Sequence, residues 1–218
     1  MNFRKFLIAT SGALMIAGAV TANPIVYNFS PGPSDHSVGS ASQTLTVSGV
    51  KLTATGYLVA NNATTILYDK YTAGSPSETG LGTLVDAGDH EITDDQYVQL
   101  DVSDLLAHHY DYLTIMLGSL QANEKGIISY GSNAGQLNTH VVATVTGGAV
   151  SQSYTVDLTS GVDYIDITGG GPNANSSIDS GDIVIESATA RVPDAGSTVA
   201  MVGAALTGLA ALRRRFTK

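Results

Sequence analysis

The sequence contains no cysteine and no tryptophan. Without cysteine the chain has no disulfide bond, no thiol nucleophile and no thiolate metal site. Without tryptophan, the aromatic side chains that could stack on a sugar ring come mainly from ten tyrosines, which are scattered along the sequence. These absences exclude cysteine enzymes, zinc-thiolate folds and disulfide-stapled scaffolds.

Positive charge is scarce between the two ends of the chain. Only four of the ten Lys and Arg residues lie between residues 23 and 193, against 18 of the 19 acidic residues, so this part carries a net charge of −14. Phosphate groups are bound by clustered cations. The composition therefore excludes nucleic acid and anionic lipid as partners of this part of the chain. It suits a soluble surface protein or one that holds divalent cations.

Neither hydrophobic run in the sequence reaches the length of about 20 residues that a stable membrane-spanning helix needs. The first run covers residues 6–19, follows Arg4 and Lys5, and leads through small residues to Ala22. This order is typical of a secretory signal peptide. It predicts residues 1–22 as the signal peptide, cleavage between Ala22 and Asn23, and export through the inner membrane.

The second run covers residues 199–212 and is followed directly by Arg213, Arg214 and Arg215. Arginines at the end of a hydrophobic segment favour the cytoplasmic side of the membrane. We expect a short hydrophobic helix that holds the chain in the membrane before processing, with the three arginines as its cytoplasmic anchor. The alternative is an amphipathic helix packed on the domain.

The residues before this run resemble the start of a bacterial sorting tail. Val192, Pro193, Asp194, Ala195, Gly196, Ser197 and Thr198 precede the hydrophobic run and the arginine cluster. The whole segment resembles the PEP-CTERM class of tails, in particular its Val-Pro-Asp-Ser-Gly variant, with Ala195 in place of the serine. The resemblance implies recognition by an exosortase, cleavage near Pro193, and release or anchoring at the cell surface.

Short strand signals separated by Gly, Ser, Asn and Asp fill the remaining sequence. The predicted strands cover residues 25–29, 44–48, 51–59, 64–71, 80–85, 97–102, 113–117, 126–130, 140–146, 153–158, 164–168 and 182–190. Strands of this length and spacing favour an all-β fold, a single antiparallel β-sandwich of jelly-roll-like form. Residues 45–190 also resemble the ectodomain of one group of PEP-CTERM proteins, which implies the same architecture. We therefore divide the chain into residues 1–22, a sandwich over residues 23–191, and a sorting tail over residues 192–218.

One acidic segment is a candidate metal site. Asp86, Asp89, Glu91, Asp94 and Asp95 lie within ten residues, and calcium takes six to eight oxygen ligands. The segment predicts a calcium site, whereas the alternative is a solvated acidic turn. A second oxygen-rich segment, residues 173–182, is more typical of turn formation by Asn and Asp.

The sequence holds no recognisable catalytic motif. A Ser-x-x-Lys motif at residues 48–51 falls on a predicted turn between strands rather than on a helix. The 18 acidic residues between residues 23 and 193 allow many carboxylate pairs, but no pair is selected as a glycosidase site. The leading hypothesis is a non-enzymatic exported surface or matrix protein, with extracellular polysaccharide as a candidate partner. The alternative is a lectin-like carbohydrate-binding module with calcium as its candidate cofactor.

Overall fold

The computed structural model describes residues 23–30, 34–75, 78–84, 90–121, 124–147, 151–158, 161–170 and 182–192. All of them fall within one compact unit, residues 22–193. The predicted signal peptide, the hydrophobic C-terminal helix and the arginine cluster lie outside the described residues. None of the helices among the described residues combines the length and the apolar character that crossing a membrane requires.

Fourteen strands and one short helix make up the described part of the chain. They are β1 (Ile25–Asn28), β2 (His36–Ser37), β3 (Ser42–Val47), β4 (Val50–Leu58), β5 (Thr64–Thr65), β6 (Leu67–Lys70), β7 (Gly80–Thr83), β8 (Gln96–Asp101), α1 (Ser103–Ala107), β9 (Tyr112–Gly118), β10 (Lys125–Gly131), β11 (His140–Thr146), β12 (Ser151–Asp157), β13 (Tyr164–Gly169) and β14 (Val184–Arg191).

The strands form two antiparallel sheets that face each other across the core. The first sheet has the order β12-β9-β14-β7-β6-β2, with β1 also paired to β14. The second has the order β11-β10-β13-β8-β4-β3, with β5 also paired to β4. The predicted antiparallel β-sandwich is confirmed, and its jelly-roll-like form stays a prediction.

Alternating side chains explain why these segments form half-buried strands. In β4, Val50, Leu52 and Ala54 are buried while Lys51 is exposed. The two-residue turn before β4 consists of Ser48 and Gly49, both with positive φ, at 53° and 84°. This combination matches the right-handed twist of a hairpin, in which glycine meets no steric penalty. The turn fixes the register that directs Leu52 into the core, and it places the Ser-x-x-Lys motif on a hairpin, as predicted.

The short helix α1 follows β8 directly, although the Ser103 in its sequence favours a serine cap. Ser103 is the first residue of α1, and the N-cap position belongs to Val102, which makes no side-chain capping bond. Asp104 instead accepts a hydrogen bond from the backbone N–H of Lys51, at 2.6 Å. This bond ties α1 to the start of β4, while the first backbone N–H of the helix, that of Ser103, donates to Asp101 Oδ1 at 3.0 Å.

Candidate functional site

The outer face of the second sheet is covered by the loop of residues 132–139, which connects β10 to β11. Tyr57 and Tyr97 stack beside it, with ring centroids 5.1 Å apart. Tyr97 is fully buried, and its hydroxyl donates to the side-chain oxygen of Asn62 at 3.0 Å. This face is therefore not a plain solvated surface.

Asp166 lies at the centre of a buried polar network beneath this loop. It is 0% exposed and accepts hydrogen bonds from Gln99 Nε2 at 2.8 Å, from the Asn138 backbone N–H at 2.6 Å and from Asn138 Nδ2 at 2.9 Å. The Gly135 backbone N–H donates to Gln99 Oε1 at 2.8 Å. These bonds connect two central strands, β8 and β13, to the loop and hold it in place. We name this set the Asp166 network.

Burial controls the protonation of Asp166. Removal of the carboxyl from water raises its pKa to about 6, although the hydrogen bonds from Asn138 and Gln99 act in the opposite direction. At neutral pH the carboxylate is therefore charged, and its three N–H partners offset part of the cost of burying it.

A cavity of about 160 Å³ opens beside the Asp166 network. Its lining is largely apolar, with polar groups from both sides, and includes Val59, Asp94, Ile127, Ser129, Leu137, Asn138, Thr139, Val141, Thr168, Gly169 and Gly170. No Lys or Arg is among these residues, so the cavity offers no cation to an anionic ligand. The loop supplies one wall, and Asp94 brings a partly exposed carboxylate to the other side.

The predicted calcium residues are only partly within the described residues. Asp86 and Asp89 lie outside them. Glu91 is 2% exposed and forms an ion pair with Lys70, and the Ser119 hydroxyl donates to the same carboxylate oxygen. Asp94 is partly exposed and lines the cavity, and Asp95 is exposed. Glu91 therefore faces a cation supplied by the chain itself, whereas Asp94 and Asp95 are accessible.

A glycine explains how the segment carrying Glu91 can lie so close to β7. A Cβ atom on Gly82 would stand 1.9 Å from the backbone oxygen of His90. The His90 ring stacks on Tyr68 with centroids 3.9 Å apart.

In the described part of the chain no three His, Asp or Glu side chains lie close enough together to hold a metal ion.

The sorting motif begins where the sandwich ends. Arg191, the last residue of β14, pairs with Tyr112, and its carbonyl oxygen accepts a hydrogen bond from the Asp111 backbone N–H at 3.1 Å. Val192 is partly buried and packs against the hydrophobic core. The motif residues from Pro193 to Thr198 lie outside the described residues. The first residue of the predicted motif is thus part of the folded domain.

Sequence reasoning missed the Asp166 network and the cavity. The sequence predicts the strand that carries Asp166, over residues 164–168, and in the fold Ile165 and Ile167 of this strand are buried in the core. Nothing nearby in the sequence indicates that Asp166 is covered. One signal was available: an acid flanked by isoleucines in a central strand, together with a long Gly- and Asn-containing connection that could fold back over it.

Two solved structures are distantly similar to this chain. One contains the CBM51-2 and INT domains of Clostridium perfringens ZmpB, with 9% identity and a TM-score of 0.30 over 72% of this chain and 42% of that one. Another contains the M60 catalytic domain with the CBM51-1 and CBM51-2 domains of the same protein, with 11% identity and a TM-score of 0.29 over 71% of this chain and 20% of that one. The chain thus spans less than half the length of either, and likenesses this distant carry no argument about function.

The C-terminal segment gives the specific match. No curated protein sequence matches the chain. Residues 191–216 match the family model described as the VPDSG-CTERM motif. The predicted sorting tail is confirmed: this chain ends in a tail of the VPDSG-CTERM type.

Proposed function

We propose that the chain is an exported bacterial surface or extracellular-matrix protein, non-enzymatic, that an exosortase-type enzyme sorts through its C-terminal tail. The match of residues 191–216 to the VPDSG-CTERM motif carries this proposal. The predicted signal peptide at the other end of the chain supports export. The membrane is then a transient partner, contacted through the tail before processing, and the product resides at the cell surface or outside the cell.

The sorting proposal predicts that the motif is required for processing. Replacing Pro193→Ala together with Asp194→Ala should leave an uncut precursor in the membrane fraction, because the enzyme no longer recognises the tail. Ala195→Ser is the matched control. It changes the same segment to the Val-Pro-Asp-Ser-Gly sequence of the family, so this protein should be processed at least as well as the wild type. Intact mass and fractionation of protein recovered from cells are the measurements. Equal amounts of processed product from the double variant and the wild type would refute the proposal.

The cavity beside the Asp166 network supports a second candidate function, a lectin-like carbohydrate-binding module. The cavity combines apolar walls with the hydroxyls of Ser129 and Thr139 and the carboxylate of Asp94, and it lacks cations. Mostly apolar cavities with a few well-placed polar groups are typical ligand sites. This cavity of about 160 Å³ is smaller than most, so it suits one sugar unit rather than a longer chain. A neutral sugar suits this lining, because its C–H face can lie on Ile127 or Val141 while its hydroxyls donate to Asp94.

Calcium remains the candidate cofactor, with Asp86, Asp89, Glu91, Asp94 and Asp95 as the proposed ligand region. Excess calcium should raise the melting temperature of residues 23–193 by several degrees relative to chelator, because a ligand at about 100 times Kd stabilises the folded state by about 2.7 kcal/mol. Magnesium should do less, since it prefers a smaller octahedral site. Asp94→Asn with Asp95→Asn should reduce the response.

Equal melting temperatures with calcium and with chelator would show that the segment binds no calcium. Retention on a polysaccharide column that depends on calcium would favour the lectin-like candidate. Retention that is absent under both conditions would favour the surface or matrix protein without a sugar site.

A further inference from the structure

The described chain stays within the sandwich up to Val192, the first residue of the sorting motif. β14 is an interior strand of the first sheet, because β9 pairs along one side and β1 along the other. Ala190, which is 0% exposed, is paired with Leu113 and Ile25. Arg191 is paired with Tyr112, and Val192 packs on the core. The chain is therefore held by the fold up to the residue before Pro193.

An enzyme that cuts a peptide needs the chain in an accessible, extended form. Extended peptides are commonly recognised through backbone hydrogen bonds to a strand edge, with side chains in adjacent pockets. The backbone groups at the end of β14 are already engaged: the Arg191 carbonyl accepts from Asp111, and β1 and β9 pair with Ala190. An enzyme could use these residues only after they had separated from both neighbouring strands.

Separation of these residues would cost more than ordinary fraying at a chain end. Strand ends open with small free energies where few buried contacts are lost. Here the opening would expose Ala190 and remove Val192 from the core as well as breaking pairings on two sides. Folding therefore keeps Val192, which forms the front of the motif, inaccessible to the enzyme.

We infer that the sandwich sets the position of the cut: cleavage occurs on the C-terminal side of Val192, at or beyond the bond between Val192 and Pro193, and the product keeps Val192 packed in the domain. The fold also slows the cut by holding the front of the motif. This inference rests on the proposed sorting of the tail, and it adds where the enzyme acts and how the domain restrains it.

The C-terminus of the processed product tests the position of the cut. Intact mass of the processed wild-type protein, read against the N-terminus found by sequencing, should identify a last residue at Val192 or later. A product that ends at Arg191 or earlier would overturn the inference, because the end of β14 would then have served as substrate.

The rate of processing tests the restraint. A Gly-Ser-Gly-Ser insert between Arg191 and Val192 leaves the motif intact and moves it away from the core. The precursor half-life in a pulse-chase experiment should fall severalfold. The same insert between the exposed residues Ala73 and Gly74 is the control and should leave the half-life unchanged. An unchanged half-life with the insert at the junction would overturn the restraint.

The two proposals fail in different ways. If the wild-type tail is never removed or does not depend on Pro193 and Asp194, sorting through the motif is wrong. If the tail is removed in a motif-dependent way but the product ends before Val192, only the inference about the cut is wrong. Melting temperatures that lie well above the chase temperature for both the wild type and the junction insert would show that a faster cut does not arise from unfolding of the whole domain.

Discussion

Lys70→Met should destabilise the sandwich by about 3–5 kcal/mol, the cost typical of removing one partner from a buried ion pair. Lys70 forms an ion pair with Glu91, and their side chains are only 11% and 2% exposed. The variant keeps the aliphatic volume of the lysine but leaves the Glu91 carboxylate buried without this cation. The hydrogen bond from Ser119 stays in the variant, and a neutral hydroxyl offsets only part of the loss of the ammonium group.

Chemical denaturation of residues 23–193 is the measurement. Lys51→Met is the matched control, because Lys51 is exposed on β4 and the same change there should alter the free energy of unfolding by less than about 0.5 kcal/mol. Lys70→Met combined with Glu91→Gln should recover part of the loss, since the uncompensated charge is then removed as well. Similar small effects from Lys70→Met and Lys51→Met would show that the pair contributes little to stability.

The Lys70–Glu91 pair also shows what the sequence of the acidic segment leaves open. Charge density along the chain indicates that carboxylates near residues 86–95 need a compensating cation. It does not reveal that a lysine 21 residues earlier in the sequence lies beside Glu91. In the fold, Lys70 of β6 supplies the cation beside Glu91, and calcium binding by the acidic segment stays a prediction.

The strands themselves could be predicted because their pattern is local. β11 has the predicted bounds, residues 140–146, and the hairpin before β4 follows from Ser48 and Gly49. β2 was missed because His36 and Ser37 carry no alternating pattern. They count as a strand only because they pair with Asp69 and Tyr68 of β6. Such an element is decided by its partner rather than by its own sequence.

The candidate site on the second sheet lay beyond sequence reasoning for the same reason. Asp166 receives its hydrogen bonds from Asn138 and Gln99, which are 28 and 67 residues away. Period-two alternation correctly assigns Asp166 to the face opposite Ile165 and Ile167. It cannot show that the loop of residues 132–139 covers that face and converts a solvent position into a buried one.

The buried carboxyl of Asp166 should give the domain a distinctive dependence of stability on pH. Burial raises the pKa of Asp166 to about 6 in the folded state, from an ordinary value of 3.8. A raised pKa means that the folded state binds the proton more tightly than the unfolded state does. The resulting stabilisation is fully present below pH 3.8 and is lost as the pH rises through about 6. The difference in pKa corresponds to about 3 kcal/mol.

Asp166→Asn removes this titration while keeping the shape of the side chain. As the pH rises from about 4 to about 7, the free energy of unfolding of the wild type should therefore decline by about 2.4 kcal/mol relative to that of Asp166→Asn. Other acidic groups titrate in both proteins, so their contributions cancel in this difference. Asp95→Asn, a change at an exposed acid, should show no such divergence from the wild type when both are measured with chelator. Parallel curves for the wild type and Asp166→Asn would mean that the three hydrogen bonds to the carboxylate offset the whole cost of its burial.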